Sequence, residues 1–317
     1  MNIRPARSSV GFVEWLGNAW NRFWLEPSEA VHLTRARLCL CAAAMLWLLL
    51  NASDSSWWFG PNGWNNDRLA RELSVASEGE WPSRFRVTPL WSAAHPWTFQ
   101  AWAGTGVALA IVAALGFGGR ITMAALMLCV LFAVQRTAWT SDAFEPLLVA
   151  GLGYLIINPG RPLFAYSRKR QANLGIENET WSANLATRLI QVHVWLLLAF
   201  GLASLIATMA WWRGEALWWL AASEHSTLLS SAMLRGRVML GNALTHAIVF
   251  SAIAAVFTLW HPHLRRIGLI GGCVLGLSYA FFSDQVLYGL LIVSLLLSVF
   301  TRPILDRPAS AGSSATS

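Results

Sequence analysis

Charge is what this sequence has least of. Only 12% of its 317 residues are Asp, Glu, Lys or Arg, while 56% are hydrophobic. A soluble domain carries about 25% charged residues, so this chain cannot cover a soluble surface of its length. Cysteine is scarce as well. Cys39, Cys41, Cys129 and Cys273 all lie inside apolar runs, none forms a C-x-x-C pair, and no Cys/His cluster has zinc spacing. A disulfide framework, thiol redox chemistry and a metal site are therefore not expected. There is no Ser-His-Asp order, phosphate loop, Rossmann glycine pattern or H-E-x-x-H motif. The net charge of +7 comes without a basic stripe interleaved with aromatics, which argues against a nucleic-acid partner. Residues 2–30 lack an apolar core followed by a small-residue cleavage site, so no signal peptide is expected.

What the chain does have is long apolar runs, with a mean hydropathy of +0.48. Eight of them, roughly 33–50, 98–116, 121–138, 143–158, 186–209, 241–259, 266–282 and 285–300, predict an all-α polytopic membrane bundle whose partner is the lipid bilayer. A perpendicular span needs about 20 residues; the fourth and eighth runs are short. They fit tilted spans, spans that recruit flanking residues, or re-entrant segments. Before the bundle, Phe12, Leu16, Trp20 and Phe23 recur at helical spacing and Pro27 marks a stop. Residues 1–30 thus read as an amphipathic segment, lying in the interface or packed on the bundle. The bundle occupies 31–302, and the small polar residues of 303–317 predict a disordered tail.

With eight spans and the N-terminus inside, fifteen of the 23 Lys and Arg residues fall in cytoplasmic segments, including the densest cluster, "RKR" at 168–170. The positive-inside rule then predicts two cytoplasmic termini in a cell or inner membrane. The outer segments are rich in tryptophan: Trp57, Trp58, Trp64, Trp81, Trp91 and Trp97 in one, and Trp211, Trp212, Trp218 and Trp219 in the other. Such residues fit an interfacial aromatic belt, or a lid of re-entrant loops over an outer cavity in which Trp211 and Trp212 would touch substrate. Gly268, Gly272, Gly276 and Ala280 form a small-residue stripe for close helix approach, and Ala199, Ala203 and Ala207 repeat it in the fifth run. Asn51 and Asn178 head chance N-x-S/T triplets.

Polar groups at membrane depth cost about 2.5–3.5 kcal/mol or more and need a partner or a purpose. Arg136, Asp142 and Glu145 sit in the short link "QRTAWTSDAFEPLL". They fit helix capping and an interfacial ion pair, or binding in the outer cavity. Arg188 can snorkel to headgroups and Gln191 can bond a neighbouring helix, whereas His193 points elsewhere and reads as a structural histidine. His246, beside Thr245, is the best-placed group for proton transfer, histidine being the residue type that exchanges protons near neutral pH. Glu215, Glu224 and His225 are weaker candidates.

The ordered set "SSWWFGPNGW" (55–64), "LGFGGRIT" (115–122), "QRTAWTSDAFEPLLV" (135–149), "TRLIQVHVWLLLAFGLASL" (187–205) and "WWRGEALWW" (211–219) resembles the HTTM (horizontally transferred transmembrane) domain over most of 31–300. That family includes the vitamin K-dependent gamma-carboxylases and bacterial relatives linked to maturation of secreted peptides. The resemblance implies a lysine base at the position of Ser204; a hydroxyl near neutral pH is no base unless another group activates it. It also implies a histidine about where Ser278 stands, and a large lumenal domain after the bundle, where this chain ends. Glutamate carboxylation is therefore not expected. Two readings follow. In one the protein acts on a lipid, a quinone-like molecule or an exported peptide at the outer face, with His246, Asp142, Glu145 and Ser204 as candidate catalytic residues, Arg136, Trp211 and Trp212 as binding residues, and no cofactor identified. In the other it is a non-catalytic membrane scaffold or partner protein. A transporter is disfavoured by the lack of an inverted repeat or paired broken helices.

Overall fold

The computed structural model describes residues 11–59, 63, 72, 88–92, 95–136, 142–163, 179–222 and 234–301. Trp64, Trp81, Glu224, His225, Asn178, the 168–170 cluster and the 303–317 tail lie outside these residues. The helices are α1 (Phe12–Leu25), α2 (Val31–Ser53), α3 (Ser55–Phe59), α4 (Pro96–Leu115), α5 (Gly119–Arg136), α6 (Phe144–Ile157), α7 (Trp181–Ala207), α8 (Met209–Trp212), α9 (Ala216–Ala222), α10 (Val238–Thr258), α11 (Arg265–Phe282) and α12 (Val286–Phe300). The chain is an all-α polytopic membrane bundle. Six of its helices, α2, α4, α5, α7, α10 and α11, are long and apolar enough to cross a membrane.

The polar side chains separate into two ends. Arg35, Arg37, Arg161 and Arg188 gather where α2 and α7 begin and α6 and α12 finish, which defines the arginine end. Asp54, Asp142, Glu145 and Asp284 lie at the opposite, carboxylate end. A two-residue antiparallel ladder, β1 (Ser28–Glu29) with β2 (Glu179–Thr180), pairs Ser28 with Thr180 and Glu29 with Glu179. It aligns the starts of α2 and α7 at the arginine end. The Thr180 side chain then caps α7 by accepting the Ala183 N–H at 3.2 Å, satisfying one of the orphan donors of a first turn.

The two short helices sit among the long ones. α6 has 14 residues and α12 has 15. At 1.5 Å per residue they reach about 21 and 23 Å, less than a hydrocarbon core of about 30 Å. Seven residues of α6 and nine of α12 are buried, so much of their length meets protein rather than lipid. Non-helical backbone is tolerated at such depth only where protein satisfies it. Past the end of α6, Arg37 does this. It is 1% exposed, and its Nη1 and Nη2 donate to the carbonyls of Pro159 at 2.6 Å and Arg161 at 2.8 Å. The Arg161 N–H donates to Thr34 Oγ1, and Asn158 bonds Thr180 and Ser182. The sequence count treats Arg37 as a loop charge; the fold buries it as the bracket between α2 and the chain that leaves α6.

The glycine stripe of α11 works as expected. A Cβ on Gly276 would lie 3.1 Å from the Gly289 carbonyl oxygen of α12, and one on Gly268 2.7 Å from Leu259 Cα. The α7 alanines do not repeat it: Ala203 and Ala207 are exposed. α7 packs instead through Ile190, Val194, Leu198, Leu202 and Leu205, larger residues on the opposite side. α1 has no buried residue. Phe12, Val13, Leu16 and Trp20 are exposed, while its last turn meets α7, where Asn184 Nδ2 donates to the Phe23 carbonyl at 2.9 Å.

Candidate functional site

At the carboxylate end, α6 begins with a buried acid. Glu145 is 8% exposed. Its Oε2 accepts the Asp142 backbone N–H at 2.8 Å and its Oε1 accepts the Trp47 indole N–H of α2 at 3.1 Å. The first of these ties Glu145 to the residue before the N-cap, in the place where the helix dipole favours an anion. The second ties α6 to α2. A two-donor cradle of this kind offsets only part of the cost of burying a carboxylate. The signal in the sequence was "SDAFEP", acids flanking the start of an apolar run; nothing there identified Trp47.

Glu145 is one wall of a cavity of about 170 Å³. Asp142, Trp47 and Phe144 line it on one side, and Asp284, Gln285 and Tyr288 on the other. The turn from α11 to α12 supplies the second group. Asp284 has φ 55°, the only non-glycine residue with positive φ among those described. Aspartate is one of the few residues that adopt this left-handed conformation readily, and it lets the chain reverse within Ser283–Gln285. Sequence reasoning missed Asp284, Gln285 and Tyr288. A polar "SDQ" between two apolar runs was the available signal.

A second cavity of about 90 Å³ opens on the other side of the same turn. It is apolar, walled by Leu205 of α7, Trp211 of α8, Leu220 of α9, Ile248 of α10 and Leu275 and Phe282 of α11, with Ser278, Tyr279 and Ser283 as its polar groups. Tyr279 and Tyr288 stand edge to face with ring centres 5.5 Å apart. Ser283 thus lines the apolar cleft and Asp284 the carboxylate-lined cavity.

The sequence-derived candidates divide accordingly. Asp142 and Glu145 come together. Trp211 lines the apolar cleft, whereas Trp212 is 52% exposed, its indole N–H donating to the Ile206 carbonyl at 2.7 Å. Arg136 is buried at 2%, its guanidinium carbon 5.3 Å above the centre of the Phe59 ring. His246 is half-buried one residue after Thr245 and lines neither cavity. Ser204 is exposed on α7 and lines neither; its carbonyl accepts the Thr208 hydroxyl at 3.0 Å. Trp57, Trp97 and Trp219 are exposed, in the manner of a belt. Ser278 lines the apolar cleft.

The polar groups of α7 have structural partners. Gln191 Nε2 donates to the Val299 carbonyl of α12 at 2.6 Å and its Oε1 accepts Arg188 Nη1 at 3.0 Å. His193 Nδ1 shares a 2.8 Å hydrogen bond with the Tyr154 hydroxyl of α6. Among the described residues no group of three or more His, Cys, Asp or Glu is arranged to hold a metal ion. All four cysteines are free thiols.

No family model, characterised protein or solved structure matches this chain. The site's chemistry must therefore be argued from its own walls. It offers carboxylates, an amide and one phenol at the end of a membrane bundle, next to an apolar cleft that carries a second phenol and two serine hydroxyls.

Proposed function

We propose that this protein is an HTTM-like membrane protein that receives a lipid- or quinone-type molecule at its carboxylate end and acts there, on that molecule or on an exported peptide, without the family's lysine-dependent carboxylation. The observation that carries this reading is the placement of two unlike cavities on either side of one helix turn. A molecule with an apolar body and a polar head is complementary to both: the body to the cleft of Leu205, Trp211 and Leu275, the head to the cavity of Glu145, Asp284 and Tyr288. Sites for small ligands are commonly concave and mostly apolar, with a few polar groups that fix orientation. The positive-inside rule supports a cytoplasmic arginine end and an outward carboxylate end.

A scaffold without chemistry is the second reading. It is favoured by Ser204, which stands exposed in the lysine's place, and by His246, which lines neither cavity. Photolabelling separates the two. The purified full chain is irradiated with a diazirine-bearing isoprenoid quinone analogue and the label is mapped by peptide sequencing. Labelling concentrated on Leu275–Ser283, and strongly lowered by Ser278→Trp at the cleft wall, supports the binding reading. Labelling spread over the lipid-facing helices and indifferent to that substitution overturns it and leaves the scaffold.

A further inference from the structure

A different set of groups, at the arginine end, is left incomplete by the fold. Arg188 leaves α7 where α7 meets the last turn of α1 and the turn between α10 and α11. Its guanidinium carbon lies 4.6 Å from the centre of the Phe23 ring and 5.9 Å from that of Trp260, and the two rings are 5.7 Å apart. Nη1 is bonded to Gln191. Nε is buried and has no acceptor among the described residues. The same is true of the Trp24 indole N–H, whose ring meets Phe23 edge-on at 4.9 Å. Buried donors are nearly always paired, so two orphans on side chains that both pack on Phe23 ask for an acceptor that the protein does not supply.

The charges around them specify its sign. Arg188 is repelled by Arg265 and attracted by Glu26. Glu26 is exposed and makes no ion pair with it among the described residues. Arg22 and Arg266 are exposed nearby, next in sequence to Phe23 and Arg265. Two arginines and one glutamate thus share this junction, with Arg22 and Arg266 next to it in sequence. An oxyanion bearing several acceptor oxygens would answer both the charge and the missing acceptors, and guanidinium binds phosphate with particular geometric fit.

The surroundings specify its source. Trp20 on α1 and Leu264, Ile267 and Ile270 beside the turn are exposed apolar residues. They flank the arginines as acyl chains flank a headgroup, and the exposed apolar residues of α1 suit a helix lying at the membrane surface. We propose that the junction of α1, α7 and the α10–α11 turn binds the phosphate of an anionic phospholipid. Arg188 and the Trp24 indole N–H hold the phosphate, Arg22, Arg265 and Arg266 supply the field, and the acyl chains run along Ile267 and Ile270. The lipid pins α1 to the bundle. This site is independent of the cavities at the carboxylate end.

Native mass spectrometry of the full chain in mild detergent tests it, with phosphatidylglycerol and phosphatidylcholine offered in equal amounts. Both carry a phosphate, but only the first is a net anion. The wild-type protein is expected to retain phosphatidylglycerol about tenfold more, as suits a charge-assisted contact. Arg188→Gln should abolish this preference. Trp24→Phe, which keeps the ring and its contact with Phe23, should lower the retention of phosphatidylglycerol severalfold. Inorganic phosphate in large excess should leave the lipid bound; its displacing the lipid overturns the lipid assignment in favour of a free-phosphate site. If Arg188→Gln aggregates, Trp24→Phe decides. Unchanged retention of phosphatidylglycerol by a monodisperse Trp24→Phe protein, or no preference in the wild type, overturns the proposal.

Discussion

Removing the Arg37 guanidinium should loosen the arginine end more than any other single polar change there. The side chain is 1% exposed and donates to two carbonyls, at 2.6 and 2.8 Å, just beyond the end of α6. Hydrogen bonds to charged groups contribute about 1.5–3 kcal/mol each, and a buried acceptor left without a donor costs about 1–3 kcal/mol. Against this stands the desolvation of the guanidinium, which Arg37→Met removes while keeping most of the volume. Its Nε lacks a partner, so that cost is only partly offset in the native protein. The net loss for Arg37→Met is expected at about 2–4 kcal/mol. Arg37→Lys, a single point charge that cannot bridge two carbonyls, should recover less than half. Arg35→Gln is the control: its one hydrogen bond, to Thr301 Oγ1, is 3.4 Å long, and its loss should cost under about 1 kcal/mol. Unfolding of the purified protein in mixed micelles, followed by tryptophan fluorescence, ranks the four proteins. A Met variant as stable as the wild type would show that the two carbonyls find other donors, and would refute the bracket assigned to Arg37.

Replacing Gly276 by Val should force α11 from α12, because the new Cβ would press on the Gly289 carbonyl and Val293; a loss of about 1–3 kcal/mol or more is expected in the same assay, against a near-silent change at Gly104, which has open space. Tyr154→Phe should cost about 1 kcal/mol by removing the bond to His193, and a larger loss would mean that the pair belongs to a wider network. Reporter fusions at both termini should give only cytoplasmic signals; a periplasmic signal from either one refutes that topology. Incubation with reduced vitamin K, carbon dioxide and glutamyl peptides should give no carboxylation, since Ser204 is exposed and lines neither cavity; turnover would mean that another residue is the base.

Much of the bundle was legible because lipid imposes a one-dimensional signal. A helix that faces hydrocarbon must be apolar over its whole length, so the runs and their order can be read without knowing any contact. The local bond of Glu145 to the Asp142 N–H was legible for a similar reason: an acid at the start of an apolar run lies close in sequence to the N–H it accepts. The α7 alanines mark the limit of pattern reading. Small residues at every fourth position permit close packing but do not compel it, and bulkier neighbours on the other face of α7 took that role.

The sequence by itself determined the solvent, the fold class, the order of the helices and the candidacy of Asp142 and Glu145, all of which depend on composition and short spacings. Only the tertiary structure decided that Arg37 is a buried bracket rather than a loop charge, that Trp47 donates to Glu145 from 98 residues away, and that Ser283 and Asp284 divide two cavities. It also decided that Ser204 faces outward and that His246 stands apart from the acids. These are relations between helices distant in the chain. Their register and rotation come from how side chains interlock on packing, for which a hydropathy pattern carries no coordinate.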